Sequence, residues 1–257
     1  MPLMSLRLAR PTVVIDINRI VGLNFIATGP SESLVIGALT RQRAVERSVL
    51  VRKCSPLLAA GIPLIAHSQI RNRGTIGGSL VHAHPAAELP AICMALGAEL
   101  VLKSVGKERA IAADDFFLDY MSTAIEAEEL LTEIRIPDWK MGTGWAIEEI
   151  ARRQGDFAIA GVTVILQVDE SDNCRECNIV LFGVNEKPIR ASKVESALRG
   201  IKLEQKMLQD VAGIISKELD PFSDIHASAE YRREVAGVLT RRALEAALTT
   251  AVEQRRL

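Results

Sequence analysis

Apolar positions along this chain change rhythm near its middle. In the first half, short apolar runs alternate with helical spacing. Val13–Ile17 and Leu34–Ala38 read as strands, and Thr40 is placed to cap a helix running to about Ala60 and ended by Gly61. A helix from Pro85 to Leu96, stopped by Gly97, is followed by strands near Leu100–Lys103 and Ala110–Ala112, and then by Leu130–Ile136, closed by Pro137. Asp138–Gly144 reads as a linker. Beyond it, Trp145–Ala151, Val162–Val168 and Asn178–Val184 have the length and β-branched content of strands. Helical segments near Ala191–Leu198, Glu204–Leu219 and Ala229–Val252 close the chain. In the last of them Tyr231, Val235, Val238, Leu239, Ala243 and Leu244 recur at helical spacing, as a core-facing stripe would. In this second half, sheet first and helices last predict an α+β module, and the chain divides at 1–140 and 141–257.

The densest candidate chemistry lies in Arg71–Pro90, RNRGTIGGSLVHAHPAAELP. Gly74, Gly77 and Gly78 permit a tight turn in which successive N–H groups converge on an anion, as a diphosphate requires. Pro85 suits the first turn of the following helix, and Glu88 sits within reach of a ribose or of the loop. A bare TIGGS is weak evidence, because most glycine turns between elements bind nothing. Arg71 and Arg73 could supply forked donors to phosphate or serve in ion pairs, and both readings stand at this point. Arg152 and Arg153 fit ion pairing with Glu148, Glu149 or Asp156.

Four phrases, Gln69–Pro90, Leu130–Pro137 (LLTEIRIP), Ala151–Ala158 (ARRQGDFA) and Tyr231–Ala243 (YRREVAGVLTRRA), stand in an order that covers most of the chain. In this the sequence resembles the FAD-binding medium subunit of molybdenum hydroxylases, the carbon monoxide dehydrogenase and xanthine dehydrogenase group. The resemblance implies a vanillyl-alcohol-oxidase-type (PCMH-type) FAD-binding domain followed by a small domain of a three-stranded sheet and helices. It implies FAD as cofactor, with Thr75, Ile76, Gly77, Gly78 and Ser79 as the second of two diphosphate loops. Glu88 aligns with an acidic cofactor contact, and Ile65 and Ala66 align with positions lining the flavin. No residue is implied to act as nucleophile or general base. The implied partners are a large subunit with molybdenum cofactor and a small subunit with two [2Fe–2S] clusters, in a dimer of heterotrimers. Electrons would pass from those clusters through FAD to an acceptor.

Relatives carry a first glycine loop of the type AGGxS ahead of a phrase much like Met1–Asp16, and this sequence opens on that phrase. Met1 is therefore expected to be an internal methionine or the mark of a truncated gene. Each backbone hydrogen bond lost to a charged phosphate is worth roughly 1.5–3 kcal/mol. Two alternatives consequently stay open, a flavin-free scaffold subunit and a stand-alone FAD-dependent oxidase. Glu148 falls where some xanthine dehydrogenase relatives carry a cofactor-contacting lysine, so that role is not carried over.

Composition narrows the classes further. The 257 residues, 48% hydrophobic, can bury a sizeable core. A net charge of −1 with both signs dispersed argues against a nucleic-acid surface. Arg7, Arg10, Pro11 and Asp16 interrupt the N-terminal apolar residues, which excludes a signal peptide or membrane span there. Four cysteines in a chain of this length make no disulfide framework, and the default setting is a reducing cytoplasm. Cys174 and Cys177 form a C-x-x-C without a second pair, read as thiols beside a hairpin turn at Asp172–Asn173, with no metal expected. His67, His82 and His84 surround the glycine loop without ligand spacing, and His84 reads as a loop or cap residue. Asp114 and Asp115 are expected to begin a short helix.

Overall fold

A computed structural model describes residues 2–140 and 142–255. Its first sheet contains β1 (Ile26–Thr28), β2 (Leu34–Gly37), β3 (Glu99–Ser104), β4 (Lys107–Ala112) and, after a two-stranded excursion of β5 (Phe117–Asp119) and β6 (Ser122–Thr123), β7 (Leu130–Ile136). The order is β1-β2-β7-β3-β4 and every pairing is antiparallel. Leu34, Ile36, Leu100, Leu102, Ile134 and Ile136 of these strands join one core with Leu57, Leu80 and Ile92 of the helices.

The second sheet is a meander of β8 (Thr143–Ile150), β9 (Ala160–Val168), β10 (Cys174–Phe182) and β11 (Ile189–Arg190) in the order β11-β10-β9-β8. The three expected strands are thus joined by a two-residue fourth, too short to carry a period-2 signal. Both faces of this sheet are covered. Val162, Val164 and Leu166 pack with Leu239, Ala243, Leu244 and Ala247 of the closing helix Ala229–Arg255. Val180 and Phe182 belong to the first core, and Ile165 packs against it. The buried helix Glu88–Ala95 packs against β9 and β10 and against the helices Pro56–Gly61 and Ile76–His82, so it has no polar face.

Several expectations change. Val13–Ile17 forms no strand, and Val13, Val14 and Ile15 are exposed, because nothing described pairs with or covers them. Thr40 does not cap a helix. Its hydroxyl accepts from the Phe25 N–H (3.1 Å) and donates to the Phe25 carbonyl (2.9 Å). The helix expected after it is three, Gln42–Arg47, Val49–Cys54 and Pro56–Gly61. Ser48 breaks the first and caps the second through the Val51 N–H, and Pro56 forces Ser55 out of helical geometry. Pro85 lies outside its helix, which starts at Glu88 after a turn closed by the Ala87 N–H on the His84 carbonyl. In the closing helix the buried stripe runs through Arg232, Ala236, Leu239, Ala243, Ala247 and Ala251, while Tyr231 and Val238 are exposed. Asp114 and Asp115 do sit in a short helix, Ala113–Phe116. Among the described residues no helix is long and apolar enough to cross a membrane.

Candidate functional site

The TIGGS segment is laid against the chain leaving β2. The Gln42 N–H donates to the Gly74 carbonyl (2.9 Å), the Ile76 N–H to that of Thr40 (3.0 Å) and the Gly77 N–H to that of Ala38 (2.8 Å). Thr75 caps the helix Ile76–His82, its hydroxyl oxygen accepting from the Gly78 N–H at 3.0 Å, and the Ser79 N–H donates to the Thr75 carbonyl. The N–H groups of residues 76 to 79 therefore point to protein acceptors rather than converging on an anion: the chain leaving β2 takes the first two, and the cap and the helix take the others. What the loop exposes is Gly78, flanked by the partly exposed hydroxyl-bearing residues Thr75 and Ser79. The two adjacent glycines differ in surroundings. A side chain at Gly77 would meet Ala38 Cβ at 2.6 Å and its carbonyl oxygen at 2.7 Å, whereas one at Gly78 would meet only Thr75 Oγ1, at 2.7 Å.

Ile65 and Ala66 precede this loop by a short helix, Ser68–Arg71. Ile65 is buried, and Ala66 holds a left-handed backbone with φ of 44°. Arg71 is buried too. Its guanidinium donates to Glu46 and to the carbonyls of Ile65 and Ala66, so it is not free for a diphosphate. Arg73 is exposed.

Glu88 is 4% exposed at the first position of its helix, and burial raises its carboxyl to a pKa of about 7. Glu149 on β8 is raised to about 8, first by burial and then by the negative charge of Glu88, and its Oε2 is buried without a hydrogen-bond partner among the described residues. A carboxyl that holds its proton more tightly when folded costs nothing while both states are protonated. Stability is lost as pH rises from the unfolded pKa near 4.5 through the folded one. The chain is expected to lose stability between pH 5 and 8, in part through this pair. Glu149→Gln should raise the melting temperature at pH 8 but scarcely at pH 5, by about 2–4 °C for each kcal/mol relieved. An equal shift at both pH values would count against the pairing.

His84 lies on Phe157 with ring centroids 3.8 Å apart and planes 13° off parallel. Burial lowers its pKa to about 4, and Nδ1 accepts from the Ala86 N–H, so the ring is a neutral turn cap. His82 is 6.2 Å away between centroids. The loop carrying Phe157 turns at Gly155, whose φ of 87° and close approach to the His67 ring suit only glycine. Arg152 and Arg153 are exposed and form no ion pair with a described residue. Beyond the stacked rings opens a cavity of about 550 Å³, lined among others by Tyr120, Arg152, Phe157 and Arg232, and by none of the eight cofactor residues expected from sequence. Cys174 and Cys177 are buried at the start of β10, where a bulge brings both to the inner face.

Comparison with known proteins gives the family. The FAD binding domain in molybdopterin dehydrogenase matches residues 1–139, and the CO dehydrogenase flavoprotein C-terminal domain matches residues 145–247. The chain belongs to the FAD-binding medium-subunit family of the molybdenum hydroxylases. It is 38% identical to the carbon monoxide dehydrogenase medium chain of Hydrogenophaga pseudoflava, over 96% of this chain and 85% of that one. It is 37% identical to the 6-hydroxypseudooxynicotine dehydrogenase complex subunit alpha of Paenarthrobacter nicotinovorans, over 96% and 83%. A solved structure of the Hydrogenophaga pseudoflava carbon monoxide dehydrogenase superposes with a TM-score of 0.93 at 38% identity, over 97% of this chain and 86% of that one. The chain is accordingly an oxidoreductase subunit with an FAD-binding domain.

Within this flavoprotein family the residues present fit part of a dinucleotide site. The bare Gly78 backbone lets a phosphate approach, and the two hydroxyls beside it are donors. Sequence reasoning missed Glu46, Glu149 and Phe157. Phe157 lies within the quoted ARRQGDFA phrase, and its place beside a glycine turn was the available signal. Glu46 meets Arg71, and Glu149 comes under the charge of Glu88, only through the tertiary fold.

Proposed function

We propose that this chain is the FAD-binding, electron-transferring subunit of a molybdenum hydroxylase complex, with a cofactor part at 1–140 and a second part at 141–257. The open Gly78 backbone between the Thr75 and Ser79 hydroxyls, inside a matched FAD-binding domain, carries the reading. Thr75, Ile76, Gly77, Gly78 and Ser79 hold the diphosphate, chiefly through hydroxyls and shape. Glu88 supports the nucleotide part, and Ile65 and Ala66 flank the ring. Bound FAD supplies the redox chemistry, taking electrons singly from iron–sulfur clusters and passing them to an acceptor. The partners are a large molybdenum-cofactor subunit and a small iron–sulfur subunit in a dimer of heterotrimers, working in the reducing cytoplasm. Relatives described as a medium chain and as a complex subunit support this assembly.

The second reading, a flavin-free docking subunit, is favoured by one observation: every N–H from Ile76 to Ser79 already has a protein acceptor. Titration of the 257-residue chain with FAD, followed by fluorescence quenching, separates the two. Saturable quenching at one FAD per chain is expected. A chain that stays colourless with excess FAD selects the docking subunit.

A further inference from the structure

Ala66 is a strained point of the candidate site. A φ of 44° places a non-glycine residue in the left-handed region, where Cβ crowds the following carbonyl. Such a residue persists only where its surroundings over-determine it. Arg71 provides that determination. One terminal nitrogen donates to the carbonyls of both Ile65 and Ala66, each at 2.8 Å, so the carbonyls on either side of the strained residue's nitrogen are pinned to a single atom. The other end of the fork is fixed by Glu46, with Nε to Oε2 at 2.9 Å and the second terminal nitrogen to Oε1 at 3.3 Å. Glu46 is itself paired with Arg43 at 2.6 Å, and the nearby Arg71 guanidinium holds its carboxyl below the usual carboxylate range. On its outer side the turn meets Gly155, which approaches Ala66 and His67 so closely that any side chain there would collide with the His67 ring.

We infer that Arg71, anchored by Glu46, is a positioning residue that holds the left-handed turn at Ala66, and so fixes the backbone of Ile65 and Ala66 against the flavin ring. This rests on the proposed placing of the flavin beside those two residues. It gives Arg71 a role separate from diphosphate binding, since its donors are already engaged by protein acceptors. Its planar fork suits carbonyls and a carboxylate at once, which a lysine could not match.

The test is a cycle on the 257-residue chain, read by FAD titration with the melting temperature recorded alongside. Arg71→Gln should weaken FAD binding about tenfold, the scale of a left-handed turn no longer held for alanine. Ala66→Gly alone is measured as the reference for the double variant, since the alanine methyl group flanks the ring. Combining the two should recover most of the loss, because glycine takes the turn without strain. A role confined to general stability or to phosphate charge would give no such rescue. If Arg71→Gln does not fold, Glu46→Gln, which loosens the anchor and keeps the arginine, is read in the same way. Unchanged affinity in Arg71→Gln, or a double variant no better than Arg71→Gln, overturns the inference while leaving the FAD site standing. Failure of the unmodified chain to bind FAD overturns both.

Discussion

Gly78→Asp is expected to leave the chain folded and to weaken FAD binding by about 100-fold or more. Gly78 is the third residue of the helix Ile76–His82, a position where an acidic side chain is compatible with the helix, and its surroundings are open but for Thr75 Oγ1. The new carboxylate would stand beside the two hydroxyls and carry the same sign as a diphosphate. Bulk and charge therefore act on the ligand and not on the core. Gly77→Ala should fail differently. Its methyl group would press on Ala38 Cβ and carbonyl oxygen, backbone that cannot swing aside, and cost about 1–3 kcal/mol of stability. Full flavin occupancy in the aspartate variant would remove the loop from the proposed site. A melting temperature for the alanine variant equal to that of the unmodified chain would contradict the packing.

The largest stability loss is expected at Arg232. Only 3% exposed, it donates from one terminal nitrogen to the carbonyls of Ile159 (2.5 Å) and Gly183 (2.8 Å) and from the other to Asp224 (2.7 Å). Its guanidinium also lies over the Phe222 ring, 5.0 Å from the centroid. Arg232→Ala strands two carbonyls at the paired ends of β9 and β10 and leaves Asp224 without its cation, at a cost of about 3–5 kcal/mol. Urea unfolding would read this directly. Lysine should restore only part of it, because a single ammonium cannot serve the carbonyl pair and Asp224 as the two terminal nitrogens of the guanidinium do. Unfolding midpoints for alanine and arginine that agree would refute the account.

The strands with a clear period could be read from sequence to within a few residues. β7 has polar flanks and a closing proline, and β8 to β10 are β-branched runs separated by turn residues. Val13–Ile17 has the same composition but no partner strand, and strand propensity without a partner forms nothing. The helical stretch after Thr40 was legible as helix but not as three pieces, since its breaks depend on Ser48 acting as a cap and on Pro56. In the closing helix, period alone could not choose between the exposed Tyr231 and its buried neighbour Arg232, because the latter's burial depends on carbonyls 49 and 73 residues away in sequence. The candidate site shows the same division. The position of the glycine loop was visible, whereas the use of its N–H groups was not, since their acceptors at Ala38 and Thr40 come from another segment. Arg71 was left between two roles for a similar reason: its partner Glu46 lies 25 residues upstream.

The end of the helix Glu88–Ala95 is completed by the second sheet. The Asn178 amide donates to the Ala95 carbonyl (2.9 Å) and Arg190 to that of Met94 (2.8 Å), while Lys187 reaches back to the Phe117 carbonyl (3.0 Å). The helix that carries Glu88 thus borrows the partners of its last turn from residues nearly a hundred positions further on. A fragment ending before β8 would leave the apolar surface of this helix uncovered, so a single thermal transition is expected for the whole chain.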